Sequence, residues 1–227
     1  HYVRATLEAE YPGAIAIFMT GCVGDANTGH SAHASLSLAA NPERTFAAAE
    51  RIGRAIAEAA MRAPSQLLGE KIAASNAAVQ LHFELREQGA PDALAEKWRR
   101  EAAEADPVEA TLLNHWVAWA ERVAGRDMRP LNARVTLLDW GGLPVIGLPG
   151  EIFASTALSI RKAFGPDPLF IAGFAEDNPG YIPPQEEYAF GGYEVEEAHR
   201  YYGQPAAFAP GSAEALAAAA ISLRTGG

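Results

Sequence analysis

The stretch from Asn132 to Gly150, "NARVTLLDWGGLPVIGLPG", constrains the fold more than any other. Two apolar runs flank Gly141-Gly142, and paired glycines reach the positive φ values that a tight hairpin turn requires. Further runs of strand length recur along the chain. "AIAIFM" (Ala14–Met19) reads as a short buried strand. Residues 70–86 alternate, with Val79, Leu81, Phe83 and Leu85 on one face and His82 on the other. "PLFIAGFA" (168–175) reads as another strand. Helical segments lie between them. "YVRATLEAE" is stopped by Pro12-Gly13. Residues 41–64 follow a cap at Asn41 with Pro42 in the first helical position, and Phe46, Ala49, Ile52, Ile56 and Ala60 form one apolar face. A helical pair over 91–124 breaks near Asp106-Pro107, with Trp98, Leu112, Trp116 and Trp119 supplying its packing. Residues 152–163 predict another helix, and Ser212 caps a terminal one. The alternation predicts an α/β protein with a mixed β-sheet and packed helices, as a single domain over residues 1–227 that carries 91–124 as a helical insertion.

With 18 Lys and Arg against 28 Asp and Glu, the net charge is -10, and no basic stripe suits a nucleic-acid partner. No uninterrupted apolar run approaches the ~20 residues of a membrane-spanning helix. The lone Cys22 excludes an internal disulfide and reads as a small buried hydrophobe. No signal peptide precedes His1, which favours the cytoplasm slightly over a secreted or periplasmic setting. The chain starts without Met, with a helix already under way, so the expectation is a C-terminal piece of something longer.

Three segments combine polar residues with tight backbone. In "IFMTGCVGDANTGHS" (17–31), glycines 21, 24 and 29 expose backbone N–H groups suited to an anion or oxyanion. The Lys-Ser/Thr ending of a phosphate-binding loop is missing. Asp25 suits either a turn or the orientation of a neighbouring ligand or of the loop itself. In "VIGLPGEIF", Glu151 follows an apolar run and opens a helix, as a dipole-compensating acid or as a carboxylate at a strand's C-terminal edge. In "EDNPGYIPPQEEYAFGGY", prolines brace a loop bearing Tyr181, Tyr188 and Tyr193, either packed or used as ligand or oxyanion donor. His30 and His33 have a helical ligand spacing that nothing nearby completes, and His1, His82, His115 and His199 are isolated.

In this order the three segments resemble the catalytic domain of the neutral/alkaline ceramidase family. Its "GD-x-S-P-N"-like loop is similar to "GDANTG" (24–29), its "P-G/A-E" junction to "LPGE" (148–151), and its "Y-x-T-T-x-E-E-Y" segment with a later tyrosine to "YIPPQEEYAFGGY" (181–193). The blocks are scattered over most of the chain, and the helical pair 91–124 is least alike. The resemblance implies the C-terminal part of a larger catalytic domain. It also implies zinc held by two histidines, a glutamate and a tyrosine, the last two falling on Glu151 and Tyr181.

Tyr193 falls on the tyrosine that stabilises the oxyanion, and both histidines belong to segments upstream of this chain. An N-terminal half of the same protein, in one chain or as a separate one, is therefore an expected partner. The serine of the family's loop corresponds to Asn27, an amide that is neither nucleophile nor base. Metal-activated water is then the attacking group, Asp25 and Asn27 join Tyr193 in the catalytic wall, and Gly24 and Thr28 contact substrate. The implied function is zinc-dependent hydrolysis of a linear amide or related acyl bond in a small-molecule or lipid-like substrate, by a ceramidase-like hydrolase rather than a ceramidase proper. The alternative is a ceramidase-like binding or regulatory module without catalysis. Association into homo-oligomers stays open.

Overall fold

The computed structural model describes residues 1–27, 44–65, 67–87 and 89–224. They divide into two compact units, one of residues 1–20 and 27–70, the other of residues 21–26 and 71–227.

In the first unit, helix α1 (Tyr2–Glu10) packs on helix α2 (Phe46–Met61). Thr45 caps α2 by accepting from the Ala48 amide at 3.1 Å. Asn41 and Pro42 lie outside the described residues. The helices meet at Gly53, where an added Cβ would stand 2.6 Å from the Tyr2 Cβ. The packed face of α2 is therefore Ala48, Gly53 and Ala57, while Phe46, Ala49, Ile52, Ile56 and Ala60, the expected apolar face, are exposed. Small residues win this contact because they let the two backbones approach. The expected buried strand at Ala14–Met19 is not formed either. Its residues have no regular secondary structure, and Ile15 and Ile17 are 83% and 75% exposed. Strand geometry needs a sheet edge to satisfy its N–H and C=O groups, and among the described residues this unit offers two helices and no strand.

The second unit is built on a four-stranded mixed sheet of order β1-β3-β4-β6, with β1 Ile72–Leu81, β3 Leu131–Trp140, β4 Leu143–Gly147 and β6 Phe170–Ala172. The hairpin forms as expected. Trp140 faces Leu143 across Gly141 and Gly142, whose φ values are +63° and +91°. β1 runs antiparallel to β3, and β6 runs parallel to β4 behind helix α5 (Ala154–Phe164). Val135, Ile146, Leu148, Ile160 and Leu216 are fully buried between the sheet, α5 and the terminal helix α7 (Ser212–Arg224). Ser212 does not cap α7; its hydroxyl donates to the Ala209 carbonyl at 2.7 Å. β2 (Phe83–Glu84) leaves the main sheet after exposed His82 and pairs with β8 (Ala207–Phe208).

Helices α3 (Pro91–Glu104) and α4 (Pro107–Val123) break where Asp106 accepts from the Val108 and Glu109 amides. They have a core of their own around Trp98, Leu113 and Trp119, with Leu113 rather than Leu112 buried. Among the described residues, no helix is long and apolar enough to cross a membrane.

Candidate functional site

Glu151 is not in a helix. Residues Glu151–Ile152 form a two-residue strand, β5, parallel to β7 (Tyr181–Ile182), and α5 starts only at Ala154. The register sets Glu151 directly against Tyr181. Two backward-bending glycines allow this. Gly150 has φ +75° and Gly180 has φ +108°, and the Glu151 amide donates to the Gly180 carbonyl at 2.9 Å. An added Cβ on Gly150 would stand 2.6 Å from that same carbonyl oxygen.

The glycine loop is strapped onto this junction. The Gly24 amide donates to the Ile152 carbonyl at 2.9 Å, and a Cβ on Gly24 would stand 2.5 Å from the Glu151 carbonyl oxygen. Asp25 Oδ1 accepts from the Ala154 amide at 2.7 Å, which satisfies the first turn of α5. The Gly24 N–H, expected to face substrate, is thus spent on a backbone carbonyl, and Asp25 holds the loop itself, by tying it to a helix start. Asn27 is exposed and belongs to the other unit. Thr28, with Gly29, His30 and His33, lies outside the described residues. Burial raises the Cys22 thiol to about 11, with the Asp25 charge adding to it, which leaves it an inert thiol at neutral pH.

Tyrosines surround the Glu151 carboxylate. Tyr193 opens the short helix α6 (Tyr193–Glu196), and its ring meets Tyr181 edge-on with centroids 5.8 Å apart. Tyr181 also meets Tyr202, centroids 6.1 Å apart. The Tyr202 hydroxyl donates to Glu151 Oε1. Burial, followed by the charge of Glu151, pushes the Tyr181 phenol above its ordinary range. Tyr193 is raised to about 12, by burial first and then by Tyr201, Glu151, Glu194 and Glu197. All of these phenols remain protonated donors at neutral pH. Tyr188 stands apart: it is buried and donates to the Phe208 carbonyl at 2.7 Å.

As a donor set, Glu151 and Tyr181 are two adjacent oxygens around one carboxylate charge, chemistry that suits part of a zinc site but falls short of the usual three protein ligands. Among the described residues, no three His, Cys, Asp or Glu side chains cluster for a metal. Sequence reasoning brought together Glu151, Tyr181 and Tyr193 and missed Tyr202, whose segment "HRYYGQ" carries no local motif.

No protein-family model matches the sequence, and no curated protein matches it. By structure the chain is similar to neutral ceramidase from Pseudomonas aeruginosa, with a TM-score of 0.56 over 99% of this chain at 17% identity. The fold is ceramidase-like. A ceramidase complexed with C2 overlaps 45% of this chain and 17% of that one, at 21% identity and a TM-score of 0.35. The chain spans 40% of the length of the Pseudomonas ceramidase, so the shared fold is part of a larger one.

Proposed function

We propose that this ceramidase-like chain supplies part of the site of a zinc-dependent hydrolase that cleaves an amide or related acyl bond in a small or lipid-like substrate. One observation carries the reading: the parallel register of β5 and β7 sets Glu151 against Tyr181, thirty positions apart in sequence. In this reading Glu151 and Tyr181 are two of the metal ligands. Histidines from polypeptide beyond this chain complete the set, in keeping with the 40% of the similar ceramidase that the chain spans. Zinc held there supplies Lewis acidity toward an acyl carbonyl and toward water. Burial first and then the Glu151 charge raise the Tyr181 phenol, and a cation held there would act against both and favour that phenol as a ligand. Tyr193, protonated and in ring contact with Tyr181, donates to negative charge developing on the carbonyl oxygen.

Zinc analysis of the full-length protein and turnover of N-acyl amides test this. Glu151→Ala removes bound zinc and activity, and Tyr193→Phe lowers the rate by about 10²–10³. A Glu151→Ala protein with full activity overturns the reading. A second reading, a binding or regulatory module that has lost the reaction, is favoured by Asn27 in place of a serine. Wild type and Tyr193→Phe equally inert across an amide panel would select it.

A further inference from the structure

The segment His199–Gln204 faces two ways. His199 and Arg200 are buried, and both engage Glu87 Oε1, the first from Nε2 at 2.9 Å and the second from Nη2 at 3.3 Å. The Arg200 guanidinium lies over the rings of Trp98, Trp116 and Trp119, at 5.0, 4.4 and 5.8 Å from their centroids. Tyr201 stacks on His115 and accepts from Trp116 Nε1 at 3.0 Å. The Gln204 carbonyl accepts from Trp119 Nε1 at 2.7 Å, while its side-chain amide donates to the Pro179 carbonyl at 3.0 Å. Cation–π contact and indole hydrogen bonds therefore anchor this segment on the helical pair α3–α4, and charge pairing ties it to Glu87 just before α3. Between the anchors, Tyr202 turns the other way. Its ring covers Gly180, where an added Cβ would stand 2.9 Å from ring carbons, and its hydroxyl reaches Glu151.

We propose that Tyr202 is a positioning residue for the Glu151 carboxylate, fixing Oε1 and with it the orientation of the carboxylate beside Tyr181. The inference rests on the ligand role proposed for Glu151. An anchored donor restricts the rotamers of a ligating carboxylate, and loss of such an outer partner typically weakens metal binding by about 10–100-fold. It also gives the helical pair a task. The pair, least similar to the ceramidase pattern in sequence, holds the residue that aims the carboxylate.

Tyr202→Phe removes the hydroxyl and keeps the ring on Gly180, so thermal melts report an intact fold. Metal-free crystal structures of the full-length protein then compare wild type with variant. A single Glu151 orientation in wild type that is lost or rotated in Tyr202→Phe supports the proposal; an unchanged carboxylate overturns it. Zinc titration supplies a second readout. Binding weakened by about 10–100-fold is expected, and equal affinity overturns the proposal while leaving the hydrolase reading intact. Wild-type protein that takes up no zinc overturns the hydrolase reading alone, and the crystallographic comparison still decides the role of Tyr202.

Discussion

At Gly24 there is no room for a single methyl group. The position is buried, and a Cβ there would meet the Glu151 carbonyl oxygen at 2.5 Å and the Phe153 ring at 2.9 Å. Gly24→Ala must push the loop off β5, at a cost of about 1–3 kcal/mol. Urea unfolding measures it, and an unchanged midpoint would show that the approach is looser than described. Glu87 sets a second residue-scale expectation. Burial works to raise its carboxyl, but the hydrogen bond and charge of His199, its own backbone amide and the charge of Arg200 outweigh it and hold the group below its ordinary 4.5. A depressed folded pKa contributes stability that is present above pH 4.5 and lost as pH falls through the folded value. Wild type therefore loses stability on that acid limb, and Glu87→Gln flattens the slope. At neutral pH, Glu87→Gln costs about 3–5 kcal/mol, because it leaves Arg200 buried without its counter-charge.

Among the elements, the shortest ones make the site. β5 and β7 have two residues each, too few to leave a periodic signal, and they exist because glycines at 150 and 180 bend the chain into register. The longer elements are set locally. Asp106 caps the second helix of the pair just after the first has ended at Ala105, and Gly141-Gly142 closes the hairpin. Helix α5 is intermediate, since Phe153 at its N-cap offers no side-chain acceptor and Asp25, distant in sequence, fills that place. Asp25→Ala should accordingly destabilise the protein by about 1 kcal/mol, as the loss of a helix cap does, read as a lowered melting temperature. An unaltered melt would remove Asp25 from that role.

On the scale of the whole molecule, apolar surface is left uncovered. Ile15, Ile17 and Phe18 are 83%, 75% and 59% exposed, and Phe46 is 86% exposed. Patches of this kind bind hydrophobic dyes and promote association. The chain by itself should enhance dye fluorescence, and Ile17→Lys with Phe18→Lys should lower that signal several-fold; equal signals would locate the sticky surface elsewhere. The sequence by itself determined the α/β class, the Gly-Gly hairpin and the helix break at Asp106-Pro107. Each of these follows from backbone preference and apolar period within about a dozen residues. It also brought Glu151, Tyr181 and Tyr193 together, through their order along the chain and a family resemblance rather than any local signal. Only the tertiary structure decided that Ala14–Met19 forms no strand, that α2 packs through Gly53 instead of Phe46, that the Gly24 amide is already spent, and that Tyr202 grips Glu151. These depend on which backbones approach closely enough to pair, and contacts between residues thirty to more than a hundred positions apart are set by packing that no single segment encodes.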